Sequence, residues 1–329
     1  MYLRGIGYAF VASLMFGLGA ILAKLLSGAF DSSVIAVLTL AVSGLLLAAL
    51  LAFSRTPLLS ALRAFTRRDW LDVLLLAFPG TALPLVVIVD GFAQTSALEG
   101  GLLLQFNGLA ALLLAVLLLG ERIHWKQGVG VLLLLPGGAL IVIAGAGGGS
   151  GPNSSLGNLL ILIGSAGIGY GYIPAKRLVQ RIDPLSLSAL RLLLGAATVA
   201  PVTAFQLVTA RSLLWQPTPT NLTLLLLYTV TNFCLAYLAQ QAGLRLLKAW
   251  QVAAIGQTVP LFSTLFALLL LHESLTLLQG MGGLLAVLGG IVVSLHEEAA
   301  PPRREAALAA VQPAHETEQA PLADESMLQ

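Results

Sequence analysis

Long apolar runs leave little room for chemistry, so the polar side chains that interrupt them come first. An ionisable group at the centre of a membrane-spanning helix costs about 2.5–3.5 kcal/mol on insertion scales, and Lys24, Asp90 and Arg191 all interrupt apolar runs. Lys24 falls at the same depth as Asp90 and Glu99. An ammonium–carboxylate pair there could close a gate or hold a zwitterion, whereas the plainer reading is a lysine that snorkels to the interface. Asp90 could exchange protons at a cavity mouth or sit solvated at the surface. Arg191 lies about 9 Å into its run at 1.5 Å per residue. Its guanidinium could lock two helices through backbone carbonyls or bind a carboxylate. Gln105 and Gln257 are neutral and near mid-membrane, where an amide either ties helices together or faces a wet cavity. Asn232, Tyr170, Tyr172 and Tyr237 add weaker hydrogen-bonding candidates, and the tyrosines serve equally well as packing residues.

The remaining polar groups read as structural. Glu99 opens a helix, where a carboxylate favours the positive end of the dipole. Glu121 and Glu273 lie between helices, each just ahead of a helix start. Thr276 and Gln279 have capping-box spacing. Cys234 is the single cysteine, so neither a disulfide framework nor a cysteine metal site is expected. His124, His272, His296 and His315 fall in loops or the tail. No metal or cofactor is expected.

The elements that position these residues follow from composition. The chain is 57% hydrophobic and 10% charged, with a mean hydropathy of +0.92, against roughly 25% charged residues in soluble domains. Windows of about 20 apolar residues predict ten helices: residues 5–26, 34–53, 71–93, 97–119, 125–144, 157–176, 185–208, 221–243, 251–271 and 277–295. The first window is of spanning length, too long for the apolar core of a secretory signal, and is read as retained.

The chain repeats itself at an offset of 152. Residues 5–143 align with 157–295 through Ser13/Ser165, Gly17/Gly169, Lys24/Lys176, Asp31/Asp183, Gln105/Gln257, Glu121/Glu273, Gln127/Gln279 and Gly137/Gly289. Leucine matches mean little in so apolar a chain, but shared charged residues, glutamines and glycines at one offset do. Five predicted spans per copy make the copies inverted. The fold expected is therefore all-α integral membrane, ten transmembrane helices as two inverted five-helix repeats. Such an arrangement puts a site between the halves. The expected divisions are residues 1–145, a Gly-rich outer linker at 146–156, residues 157–295, and a disordered cytoplasmic tail at 296–329.

Orientation follows from loop cations. With the N-terminus inside, fourteen of the seventeen Lys and Arg face inward, Lys24 and Arg211 face outward, and Arg191 lies within a helix. Both termini are then cytoplasmic, in a cell or inner membrane. Trp70, Trp125, Trp215 and Trp250 fall at predicted span ends, where indole prefers the interface.

The stretch Leu118–Gly138, LLGERIHWKQGVGVLLLLPGG, and its copy Leu270–Gly290, LLHESLTLLQGMGGLLAVLGG, share a Leu-x-Glu ending and a Gln-Gly-x-Gly opening. With Asp183-Pro184 and the following Arg191, this resembles the EamA-type branch of the drug/metabolite transporter superfamily. The resemblance implies secondary transport of small metabolites, often export of amino acids or related compounds. It also implies a proline in the fourth and ninth helices. Pro260 fits, whereas Gly108 stands at the matching place in the first half.

The function expected is a secondary transporter, most simply an exporter of a small metabolite such as an amino acid, working by alternating access. No G-x-x-x-x-G-K-[ST] loop is present to drive it with ATP. The partners expected are a small-molecule substrate, the lipid bilayer and no nucleic acid, with a coupling proton and a homodimer left open. An intramembrane enzyme is the first alternative, but His272-Glu273 lacks the second His of H-E-x-x-H and no G-x-S-x-G occurs. A non-transporting scaffold is the second, and the short loops disfavour it.

Overall fold

Helices occupy the predicted apolar windows, two of them in broken form. A computed structural model describes residues 2–53, 62, 65–119, 125–148, 154–178, 182–209, 214–247, 252 and 255–294, all within the unit Met1–Glu297. The tail at 296–329, the central part of the linker and Glu121 lie outside the described residues. We label ten helical rods in chain order. α1 is Tyr2–Ser27 and α2 is Ser32–Phe53. α3 runs Arg67–Ala77, Phe78–Ala82 and Leu83–Gln94, its middle piece a π-helical turn. α4 comes in two pieces, Ala97–Leu103 and Phe106–Leu119. α5 is Trp125–Gly148, α6 is Ser154–Leu178 and α7 is Pro184–Val208. α8 runs Pro219–Tyr228, Thr229–Leu235 and Ala236–Leu246, again with a π-helical middle. α9 is Val259–Leu270 and α10 is Leu277–Ser294.

Six of these stretches are long and apolar enough to cross a membrane: Tyr2–Ser27, Ser32–Phe53, Arg67–Gln94, Ser155–Ala175, Pro184–Val208 and Pro219–Gln240. Trp125–Ile141, Val259–Leu270 and Leu277–Val292 are shorter apolar helices. The chain is a multi-pass membrane protein. Its outer shell is apolar, with Leu50, Phe53, Leu117, Val208, Leu269 and Leu277 among many large side chains left exposed, as a lipid-facing surface requires. Trp70, Trp125 and Trp215 are exposed at helix ends.

Helix ends carry their own signals. Thr66 and Asp69 form a capping box at α3, with the Thr66 N–H donating to Asp69 Oδ2 at 2.8 Å and the Asp69 N–H to Thr66 Oγ1 at 3.3 Å. Asp183 caps α7 by accepting from the Leu185 and Ser186 N–H groups at 3.0 and 3.1 Å. The expected Thr276–Gln279 box is present, the Thr276 N–H donating to Gln279 Oε1 at 3.0 Å and the Gln279 N–H to Thr276 Oγ1 at 3.2 Å. Between α1 and α2, Phe30 bridges Trp215, and the Asp31 carboxylate accepts from the Leu214 N–H at 2.5 Å.

Packing pairs rods from different halves. α5 lies along α10 and α2 along α7; α1 packs on α8 and α9, and α6 packs on α3 and α4. The 152-residue offset carries α5 onto α10 and α2 onto α7, and it relates the α1 pairings to those of α6. Glycine makes these contacts possible, because a missing Cβ lets backbones touch. A Cβ at Gly137 would sit 2.7 Å from the Gly282 carbonyl, and one at Gly289 would sit 2.6 Å from the Gly130 carbonyl. A Cβ at Gly17 would meet Phe262 Cβ at 2.6 Å, and one at Gly169 would meet the Asn107 carbonyl at 2.5 Å. Glycines 164, 167 and 171 likewise press α6 onto Ile88, Pro84 and Gly80 of α3. They pack α6 closely, and that helix runs unbroken through Pro174.

Candidate functional site

The predicted helix over residues 97–119 is interrupted at Leu104–Gln105. Bonds there tighten to i→i+3, Gln105 N–H to Leu102 O at 3.4 Å and Gly108 N–H to Gln105 O at 3.3 Å. Gly100, Gly101 and Gly108 flank the break and weaken helix propagation locally. The second half breaks at the equivalent place. Residues 255 and 256 are helical, Gln257 and Thr258 turn, and α9 begins at Val259. Pro260 has no N–H and its ring crowds the carbonyl four residues back, which weakens the helix ladder at this point. Hydropathy windows read composition and not hydrogen-bond pattern, and both breaks were invisible to them.

Each break carries one of the paired glutamines. Both are buried, at 6% and 8% exposure. Gln105 Nε2 donates to the Gln257 backbone carbonyl at 3.3 Å, tying α4 to α9. Gln257 packs its amide against Gly290 of α10, and its Oε1 has no hydrogen-bond partner.

The π-helical turns Phe78–Ala82 of α3 and Thr229–Leu235 of α8 also correspond across the offset. π-turns interrupt the ordinary ladder and recur at functional positions. In α8 the turn presents Asn232 to α1, where its Oδ1 fills the space a Cβ at Gly19 would take. Asn232 also bonds the hydroxyl of the buried Tyr228. Beside it the rings of Tyr228 and Phe233 meet at 5.5 Å, Phe233 and Tyr237 at 6.1 Å, and Phe16 and Tyr237 at 5.4 Å. The Arg191 guanidinium carbon stands 4.3 Å over the Tyr237 ring. Arg191, Asn232 and Tyr237 are thus brought to one region. Tyr170 is half-buried in α6, and Tyr172 is 48% exposed on its surface.

At the C-terminal end of α3 the sequence candidates behave differently from one another. Lys24 donates to the carbonyls of Phe92 and Thr95 at 2.7 and 2.6 Å, closing the C-terminal end of α3. It is not paired with Asp90 or Glu99. Carbonyls left free at a helix end attract a cation, and these two lie nearer than either carboxylate. Asp90 is exposed and accepts a hydrogen bond from the Ser32 hydroxyl at the start of α2.

The residue that sequence reasoning undervalued is Glu99. It is 0% exposed. Its Oε2 accepts from Asn158 Nδ2 at 3.0 Å and its Oε1 from Gln279 Nε2 at 3.1 Å, with the Thr95 hydroxyl 3.0 Å away. One carboxyl group therefore joins the end of α3 to the starts of α4, α6 and α10. Asn158 and Gln279, polar residues in helix starts at the same expected depth, were the available signal. Glu273 acts across the fold as well. Its two oxygens accept from the Ala97 and Leu98 N–H groups at 2.9 and 2.8 Å, capping α4 and not the helix that follows it.

Two cavities accompany this framework. One of about 350 Å³ is lined by Leu103, Phe106, Leu135, Gly138, Ala139, Ile143 and Leu162, and one of about 480 Å³ by Leu275, Thr276, Leu277, Gly280, Met281 and Leu284. None of the nine candidate residues lines either one. Among the described residues no cluster of His, Cys, Asp and Glu is arranged to hold a metal ion.

The profile of the EamA-like transporter family matches residues 3–143 and again residues 155–295. The chain belongs to the EamA-like transporter family. It is 26% identical over 237 residues to the uncharacterized transporter YetK of Bacillus subtilis (strain 168), covering 71% of each chain. It is 23% identical over 294 residues to an uncharacterized transporter of Methanothermobacter thermautotrophicus (strain ATCC 29096 / DSM 1053 / JCM 10044 / NBRC 100330 / Delta H), covering 86% of this chain and 83% of that one. A solved crystal structure overlays with a TM-score of 0.63 at 20% identity, over 90% of this chain and 98% of its own, which speaks to the fold alone. An EamA-like membrane transporter takes a small molecule as substrate and the bilayer as its surroundings.

Proposed function

We propose that this EamA-like protein is a secondary transporter of a small metabolite, an amino acid or similar amphiphile, built from two inverted five-helix repeats that rock about the bilayer midplane. The divisions are residues 1–145 and 157–295, joined by an outer linker at 146–156 and followed by a cytoplasmic tail from 296. The observation that carries the reading is the coincidence, at one offset, of interrupted helices at Gln105 and Gln257. Transporter sites form where discontinuous helices of two inverted halves meet. In this reading Gln105 and Gln257 lie at the meeting point, with Arg191, Asn232 and Tyr237 on the α7–α8 side. Lys24 and Asp90 belong to the outer mouth, and Tyr170 and Tyr172 to α6.

The two ends of the molecule differ in a way that supports alternating access. At the outer end the last piece of α3 packs on both α1 and α2, and the Glu99 and Lys24 bonds seal the helix ends. The equivalent last piece of α8 packs only lightly on α7. We read this conformer as closed outside and loosest toward the cytoplasm, ready to load for export. A proton is the coupling ion we favour, through the exposed Asp90, and a homodimer is compatible with the apolar shell. Both termini are cytoplasmic in this orientation.

Proteoliposomes carrying the purified protein should take up a labelled amino acid or related metabolite from a panel, faster with a pH gradient. A cysteine placed at Ser150 should react with an impermeant thiol reagent added outside cells, and one at Arg63 should not. The opposite labelling pattern would end the inverted-repeat reading.

A further inference from the structure

Arg191 carries a permanent charge, and among the described residues no acid is paired with it. It sits seven residues into α7, about 10 Å from the helix start at 1.5 Å per residue. Tyr237 lies nine residues before the end of α8, about 13 Å from it by the same rise. Both are well inside the apolar layer on the same side. The guanidinium is held 4.3 Å over the tyrosine ring, its Nε is buried, and that nitrogen has no hydrogen-bond partner. A guanidinium free to snorkel would leave the ring and reach the interface; this one is held on α8.

No acid in the surrounding rods neutralises it. α1, α2, α7 and α8 contain no Asp or Glu from first residue to last. The carboxylates of α3 nearest the same end are otherwise engaged, Asp69 in its capping box and Asp72 with Arg177 at 3.3 Å. Charges within a membrane pair with something, and a guanidinium offers several N–H donors in a planar fork that suits a carboxylate. Tyr237 in turn meets Phe16 and Phe233, and Phe233 meets Tyr228, so the ring under the guanidinium belongs to an aromatic run that favours an apolar body.

We propose that Arg191, stacked on Tyr237, is the anchor for a single carboxylate of the transported molecule, and that the substrate class is the monocarboxylates with an apolar body. This deepens the transporter reading and rests on it. Two consequences separate it from a general amino-acid site. An α-amino group is dispensable, because no acid stands in these rods to receive it. A phosphate ester is disfavoured, because one cation matches one negative charge and no second Lys or Arg lies at this depth on α1, α7 or α8. The phosphodiester of an inner-leaflet lipid presents the same single negative charge, so the test must separate the two sources.

The test uses the full chain in neutral detergent micelles. Melting temperature is titrated against straight-chain and branched monocarboxylates, their α-amino counterparts, and the primary amides of each. Carboxylates, with or without the amino group, should raise the melting temperature, and the amides should not. Arg191→Lys should weaken the response about 10- to 100-fold, as loss of a bidentate charge-assisted contact predicts. Arg191→Gln should abolish it, and Tyr237→Leu should weaken it more than Tyr237→Phe. Should Arg191→Gln fail to fold, the Lys and Tyr237 variants carry the decision. Equal protection by amides and acids overturns the proposal, as does a normal response in a folded Arg191 variant. Protection by phosphatidylglycerol alone, lost in the Arg191 variants while carboxylates do nothing, assigns the site to lipid. Uptake of a neutral metabolite at wild-type rate by Arg191→Gln would overturn this inference and leave the transporter reading standing.

Discussion

Replacing Glu99 by Ala tests the buried carboxylate hub directly. The substitution removes the acceptor for Asn158 Nδ2 at 3.0 Å and Gln279 Nε2 at 3.1 Å. Both amides are buried, at 1% and 3% exposure, and Glu99 itself is at 0%. A buried donor left without a partner costs about 1–3 kcal/mol, so two cost about 2–6 kcal/mol. Thr95 adds little, because its hydroxyl keeps Asn158 Oδ1 at 2.7 Å. Glu99→Gln should fall between, since its amide oxygen serves one donor while its NH2 group faces the other. The double variant Glu99→Ala/Gln279→Leu should cost less than the two singles added, because leucine asks for no partner. Equilibrium unfolding in mixed micelles gives the energies, and melting temperature gives the rank order. A loss below about 1 kcal/mol for Glu99→Ala, under the cost of even one orphaned donor, would refute the reasoning. So would strict additivity in the double variant.

Four further substitutions probe other parts of the fold. Gly137→Val drives a branched side chain into a seam where even a Cβ would lie 2.7 Å from Ala286 N; overpacking predicts a loss of at least about 1–3 kcal/mol. Gly7→Ala, whose Cβ would meet nothing within 4 Å, should be neutral or gain up to about 1 kcal/mol of helix propensity, and the same unfolding assay reads both. Gln257→Leu should lower transport while folded yield stays near normal, because its Oε1 makes no bond to lose; a collapse in yield would make this glutamine helix glue. Asp90→Asn should remove the pH dependence of uptake if Asp90 carries the coupled proton, and an unchanged rate and pH profile would take it out of the mechanism.

Sequence served some levels of structure better than others. Helix positions were legible because a run of apolar residues of spanning length has few other fates, and boundaries such as Ser32–Phe53 and Leu277–Ser294 fall within two residues of expectation. The glycine seam between α5 and α10 was half legible. Gly137 and Gly289 stood out as matched residues, yet only the packing shows which backbone each one meets. The breaks beside Gln105 and Gln257 and the π-turns in α3 and α8 were not legible, because they are departures in hydrogen-bond register that leave hydropathy untouched. Side-chain partners across the fold were the least legible. Lys24 looked matched to acids at its own depth, but the nearer carbonyls of Phe92 and Thr95 claim it. Glu273 was read against its own neighbouring helix, while its carboxylate caps α4.

The exchange of first helices between the halves governs how such a chain can be made. α1 finds its main partners in α8 and α9, which are synthesised late, and α6 finds its partners in α3 and α4. Once inserted, α1 must wait in lipid with the faces around Ser13 and Gly17 uncovered until most of the protein has left the ribosome. The first half is therefore an incomplete object at birth, and assembly finishes only when the final rods arrive. It follows that the two halves expressed as separate chains should each be short-lived alone and should rescue one another when made together.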